Sequence, residues 1–137
     1  EIMDVRVVLE REAAQLGTPN LTQNDIEKLK QYLDKLENPR LKPAEWLDAN
    51  ECFHLRIFEA AQNALLSKLI TTERNKVRPF IATVSFTLDH RLEKDHFNIY
   101  KACKQRNANL CAELTVAHLQ KMKEAMISEF SADNEES

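Results

Sequence analysis

Asn50-Glu51-Cys52-Phe53-His54 lies midway along a strongly amphipathic run from about Pro43 to Gln62. Leu47, His54, Ile57, Phe58 and Ala61 recur there at helical spacing, and Asn50 falls among them. At ~100° per residue, Asn50 and His54 sit within ~40° of each other, near the middle of the apolar stripe. Two polar side chains pointing into a core require partners there. The rest of the chain can be read for what else points at the same place.

The surrounding sequence reads as helices with short links. Gly occurs once and Pro four times in 137 residues, which argues against a β protein. Helix 1 is expected over Ile2–Leu16, with Val5, Val8, Leu9, Glu12 and Leu16 on its inner face and Ala13 beside them. Gly17-Thr18-Pro19-Asn20 should end it. Helix 2 follows from Thr22, read as its N-cap, to Leu36, burying Ile26, Leu29, Leu33 and Leu36. Helix 3 carries the opening stretch. Helix 4 runs from Ala64 to about Ser85, its stripe formed by Leu66, Ile70, Val77, Ile81 and Val84, with Glu73 on it and a kink expected at Pro79. Helix 5 restarts near Thr87 and ends near Arg106. Asn107 caps helix 6, which continues to about Phe130, and the acidic Ser131–Ser137 should fray. The expected fold is all-α: one domain over residues 1–137, an antiparallel bundle of about six helices.

Composition excludes several roles. A net charge of −3 gives no basic surface for nucleic acid. No apolar run has membrane-spanning length, and no signal peptide is recognisable. Gly17, the single glycine, cannot build a phosphate-cradling loop. Cys52, Cys103 and Cys111 are an odd number without a CxxC, which suggests reduced thiols and a cytoplasmic location. Cys103 and Cys111 read as small buried hydrophobes.

Three of the four histidines share one property. His54 is on the stripe of helix 3. His96 lies with Leu92, Tyr100 and Cys103, and His118 with Cys111, Leu114, Met122 and Ala125. Only His90 falls off the core side. A single core histidine is ordinarily a hydrogen-bonded core residue, but three on three helices invite a shared ligand. Burying imidazole is costly unless both nitrogens are satisfied, and one metal does that for all three. Three His and one oxygen ligand suit Zn²⁺, Ni²⁺ or another divalent ion.

The residues then fall into a known order. Val5-Arg6-Val7-Val8-Leu9-Glu10 is similar to an R-x-x-L-E opening, and Asn50-Glu51-Cys52-Phe53-His54 to D-x-x-F-H. Ile57 with Ala60-Ala61-Gln62-Asn63-Ala64-Leu65-Leu66 is similar to I-x-x-A-A-x-N-x-x-L. Asp95-His96-x-x-Ile99 resembles E-H-x-x-I, and Ala117-His118-Leu119 a final A-H-hydrophobic. In this series, covering essentially the whole chain, the protein resembles the FadR C-terminal (FCD) domain, the effector-binding and dimerising half of GntR-family bacterial transcription regulators. The resemblance implies a divalent metal held by His54, His96 and His118, with Asn50 where the family has Asp. It also implies a small organic acid effector completing the site, a homodimer, and DNA binding through an N-terminal winged helix-turn-helix. The chain opens at Glu1 inside a helical pattern, as expected of a segment whose N-terminal part is missing.

Asn offers a neutral amide oxygen, a weaker ligand than carboxylate. Glu73 is a candidate to replace the lost charge. Arg74 and Arg78, four apart on helix 4, are the candidates for holding an effector carboxylate, since guanidinium forks match that geometry. Arg6 is expected to pair with Glu10. The alternative function is a di-iron carboxylate enzyme, because Glu51-x-x-His54 and Glu93-x-x-His96 fit the Glu-x-x-His spelling. Against it, Glu51 is expected towards the wet side and His118 would have no role.

Overall fold

The computed structural model describes the backbone of residues 1–88 and 90–136 and the side chains of residues 1–81 and 93–129. Six α-helices follow one another: α1 (Ile2–Gly17), α2 (Gln23–Leu36), α3 (Pro43–Glu59), α4 (Ala64–Leu88), α5 (His90–Lys104) and α6 (Ala108–Glu136). A 3₁₀ turn, Thr18–Asn20, joins α1 to α2. There is no strand among the described residues.

The helix starts are set by local chemistry. Thr22 opens α2 with a reciprocal capping box: Asp25 N donates to Thr22 Oγ1 at 3.1 Å, and Thr22 N to Asp25 Oδ2 at 2.8 Å. Pro43 occupies the first position of α3, where a missing N–H costs nothing. Asn63 and Asn107 accept from the backbone three residues on, at 3.0 and 3.1 Å, and so cap α4 and α6. Gln62 and Arg106 take positive φ, 59° and 53°, and turn the chain after α3 and α5.

Three boundaries differ from the sequence reading. Helix α4 runs on to Leu88, through Pro79, so α5 starts at His90. Helix α6 continues past Phe130 to Glu136. Gly17 belongs to α1 and does not stop it. A Cβ placed on Gly17 would lie 2.2 Å from the Ile57 carbonyl oxygen, so glycine is needed there for the close crossing of α1 on α3. The expectations for Val84, His90 and Leu92 fall on side chains outside the described residues.

Helix α1 packs against α3, α4 and α6, while α2 packs on α3 and α5. Its inner face is Met3, Arg6, Glu10, Ala13, Ala14 and Gly17. This corrects the predicted face: Val8 is 68% exposed, and Val5 and Leu16 are exposed as well. The apolar row on α1 is thus a second face, pointing out of this chain, because small and charged residues hold the crossing side.

Two apolar clusters form the core. One gathers Leu29, Leu33, Phe53, Ile57, Phe58 and Ile99; the other Met3, Val77, Ile81, Leu119, Met122 and Met126. Burying a side chain such as Phe53 contributes ~1.5–3 kcal/mol. Trp46 packs against both clusters; His54 and His96 lie against Phe53 of the first, and His96 and His118 line a cavity with Ile81, Leu119 and Met122 of the second.

Candidate metal centre

Helices α3, α5 and α6 each deliver one imidazole to a common point. One ligand-capable nitrogen from each of His54, His96 and His118 lies within 4.8 Å of the others, and all three residues are buried. His54 Nε2 and His96 Nε2 are 3.1 Å apart. Two nitrogens bound to one Zn²⁺ at ~2.0–2.1 Å are separated by about 3 Å, so this pair has the spacing of adjacent ligands. Asn50 Oδ1 is 2.8 Å from His96 Nε2.

The donor set suits a cation. His54 Nε2 and Asn50 Oδ1 both lie within hydrogen-bond distance of His96 Nε2, yet one ring proton on His96 can serve only one acceptor well. A metal ion accepts electron pairs from all of them. His118 is oriented through its other nitrogen: with the proton on Nδ1, it donates to Asp95 Oδ2 at 3.1 Å. That leaves Nε2 with its lone pair, an arrangement that fixes the tautomer of metal-binding histidines. Lys121 Nζ in turn donates to Asp95 Oδ1 at 2.7 Å. Burial, then the positive charge of Arg74, keeps the His54 pKa well below the usual histidine value, so its imidazole is neutral at pH 7. Phe53 meets the rings of His54 and His96 edge-on, with centroids 5.3 and 5.4 Å away.

Beside the histidines lies a buried charge network. Arg74 donates through Nε and Nη2 to the two oxygens of Glu51 at 2.8 and 2.9 Å, and through Nη1 to Glu10 at 2.5 Å. Arg6 Nε donates to Glu10 at 2.6 Å, the pairing predicted for it. Two cations and two carboxylates balance, as a buried cluster requires. The cluster corrects two expectations. Glu51 is buried rather than wet, with both its oxygens on Arg74. On α4 it is Arg74, not Glu73, that continues the buried row of Ile70, Val77 and Ile81; Glu73 is half-buried and takes a proton donor from Lys76 at 2.9 Å. Counted from Ile70 at ~100° per residue, position 74 lies ~40° away and position 73 ~60° away on the other side. Arg78 is placed towards solvent, paired with Asp48.

A narrow cavity of about 10 Å³ opens between these groups. Its polar wall is Arg6, Asn50, Arg74, His96 and His118, and its apolar wall is Trp46, Ile81, Leu119 and Met122. That is room for about one water molecule or ion. Trp46 is not marked by the sequence, and Asp95 enters it only as a motif neighbour of His96, with no role of its own. Asp95 neighbours His96 in the chain but serves His118 on another helix, so only the α5–α6 packing brings out its role.

The family model described as FCD domain matches residues 1–121. The chain belongs to the FCD family. Its relatives carry regulatory names: a protein 25% identical over 122 residues is the Nta operon transcriptional regulator of Aminobacter aminovorans, and one 25% identical over 137 residues is the HTH-type transcriptional regulator LutR of Bacillus subtilis (strain 168). The alignments cover 88% and 95% of this chain but 58% and 63% of those proteins. The fold is shared with a GntR-family transcriptional regulator from Pseudomonas syringae pv. tomato (TM-score 0.85, 21% identity, 97% of this chain and 56% of that one). It is shared equally with E. coli McbR/YncC (TM-score 0.82, 20% identity, 94% and 67%). An FCD domain is a regulatory module rather than an enzyme, and the carboxylate that the di-iron reading needs, Glu51, is held by Arg74. Among the described residues, no helix is long and apolar enough to cross a membrane.

Proposed function

We propose that this FCD domain is the effector-sensing and dimerisation module of a GntR-family transcription regulator of the bacterial cytoplasm. It binds a divalent metal, Zn²⁺ or Ni²⁺, through His54, His96, His118 and Asn50, and a small carboxylate beside it. The observation that carries this reading is the convergence of three buried imidazoles from three helices within 4.8 Å. The metal supplies an electrophilic centre for an oxygen ligand. Asp95 orients His118, and the neutral His54 presents a free lone pair without first losing a proton.

Arg74 is the favoured partner for the effector carboxylate. Three of its five N–H groups are engaged by Glu10 and Glu51, and it lines the cavity with Arg6. Arg78, on Asp48 and outside the cavity lining, would act only at the rim. At about 10 Å³ the cavity admits an ion but not an organic acid. Effector entry therefore requires a side chain such as Trp46 or Met122 to move. An effector that binds the opened arrangement better shifts the bundle towards it, and this bias is what an attached N-terminal winged helix-turn-helix would read on DNA.

The homodimer face is the exposed apolar row of Val5, Val8 and Leu16 on α1, beside Leu65, Leu69 and Phe80 on the neighbouring α4. Exposed apolar side chains gathered on two neighbouring helices suit an interaction surface.

Thermal unfolding tests the sensing role. Zn²⁺ or Ni²⁺ at about 100 times its Kd should raise the Tm of the metal-stripped protein by on the order of 8 °C. A panel of mono-, di- and tricarboxylates should then give a further rise only in the metal-loaded form. A carboxylate shift equal in both forms would remove the metal from the effector site.

A further inference from the structure

Cys103 Sγ and Cys111 Sγ lie 3.7 Å apart, both fully buried, on the two arms of the α5–α6 hairpin. Cys103 follows His96 by seven residues, and Cys111 precedes His118 by seven. In this hairpin the thiols therefore form one level and the imidazoles another, ~10 Å along the helices. Cys52, the remaining cysteine, is exposed on α3. Two small hydrophobes would fill this space equally well, but they would not place sulfur on sulfur.

We propose that Cys103 and Cys111 form an oxidation site that closes a reversible disulfide between α5 and α6 in the presence of a hydroperoxide. The Cys111 sulfur attacks the peroxide O–O bond, becoming a sulfenic acid while the first oxygen leaves as water. The Cys103 sulfur then displaces the second oxygen, also as water, and the S–S bond forms. Two thiols and one hydrogen peroxide yield one disulfide and two waters, and a dithiol reductant reverses the step. The sulfurs need to approach from 3.7 Å to a bond length of about 2.05 Å, a shift within reach of two side chains at a hairpin end.

The environment divides the two roles. The hydrogen bond from Cys103, helped by the Thr18 and Thr115 hydroxyls, outweighs burial and holds the Cys111 thiol below its ordinary pKa, which favours it as the attacking thiolate. The same contact, with burial, pushes Cys103 up, so it keeps its proton until the second step. The chain turns at Arg106, whose N–H donates to the Cys103 carbonyl at 2.9 Å, so the pair sits next to the hairpin end.

The test uses the folded protein carrying Cys52→Ser. After a hydrogen peroxide pulse the chain is unfolded, its free thiols are alkylated and its mass is measured. The expected product is about 2 Da lighter and takes no alkyl group. Digestion should give one peptide joining Cys103 to Cys111, and prior reduction should restore two alkylated thiols. With Cys103→Ser added, Cys111 should instead be trapped as a sulfenic acid by dimedone. The proposal is overturned if the folded protein keeps both thiols, or gains oxygen without a cross-link, under peroxide that cross-links the unfolded chain.

Discussion

Arg74 on α4 grips Glu51 on α3 with two parallel hydrogen bonds, 2.8 and 2.9 Å long, in a setting where Arg74 is 2% exposed. A fork on a carboxylate is the strongest form of ion pair, and here it ties two of the helices around the histidines. Removing one partner strands the other charge. Arg74→Ala is expected to cost about 3–5 kcal/mol of stability, because Glu51 and Glu10 lose their shared cation. Urea unfolding of the metal-free protein measures it. A loss below about 1 kcal/mol, as for surface pairs, would show that the network is not buried in solution.

Acid should dismantle the same network through Glu10. Burial opposes the Glu10 charge, but Arg74 and Arg6 outweigh it and hold the pKa below the ordinary carboxylate value. For such a depressed carboxyl the stabilisation is complete above the unfolded-state pKa of about 4.3 and is lost as pH falls through the lower folded value. Glu10→Gln is therefore expected to lower stability at pH 6 and to show a weaker loss below about pH 4.3. Parallel melts from pH 6 to 2.5 give the comparison; identical slopes would exclude Glu10 as a contributor to acid unfolding.

Gly17 sets two effects against each other. Replacing a helical Gly with Ala ordinarily gains up to about 1 kcal/mol. Here the new methyl would meet the Ile57 carbonyl oxygen at 2.2 Å, and backbone cannot swing aside. Gly17→Ala is expected to destabilise by about 1–3 kcal/mol, the usual cost of overpacking. A stabilised variant would mean that α1 and α3 cross less closely.

Much of this was legible in the sequence, and the exceptions share one cause. Helical periodicity and caps place the six helices, and three histidines on three apolar stripes predict a meeting point that His54, His96 and His118 do reach. Periodicity reports which face is apolar, however, not which face is buried in this chain. On α1 the apolar row of Val5, Val8 and Leu16 points outward, and the inner face carries Arg6 and Glu10, whose pairing is legible in the sequence but whose burial depends on Arg74 arriving from α4. Glu51 was misplaced for a related reason: a buried charge is recognisable only with its partner, here Arg74. Gly17 looked like a helix stop because a sequence does not record how near another backbone comes.

Asn50 is the site's departure from its family resemblance, and it sets a graded expectation. Its amide oxygen lies 2.8 Å from His96 Nε2, in the position from which a carboxylate would add a negative charge. Asn50→Asp is expected to tighten metal binding by about tenfold or more, since ligand charge tunes affinity. Competition with a chromophoric chelator reads this directly. Unchanged affinity would place the residue outside the coordination sphere.

Three imidazoles converging on one point are expected to hold one metal ion. Elemental analysis of the purified chain, after incubation with Zn²⁺ or Ni²⁺ and removal of the excess, tests it most directly when His54→Ala is carried alongside. About one equivalent of divalent metal per chain is expected, lost in the variant. No bound metal in either protein, or equal metal in both, would contradict it and leave the histidines as hydrogen-bonded core.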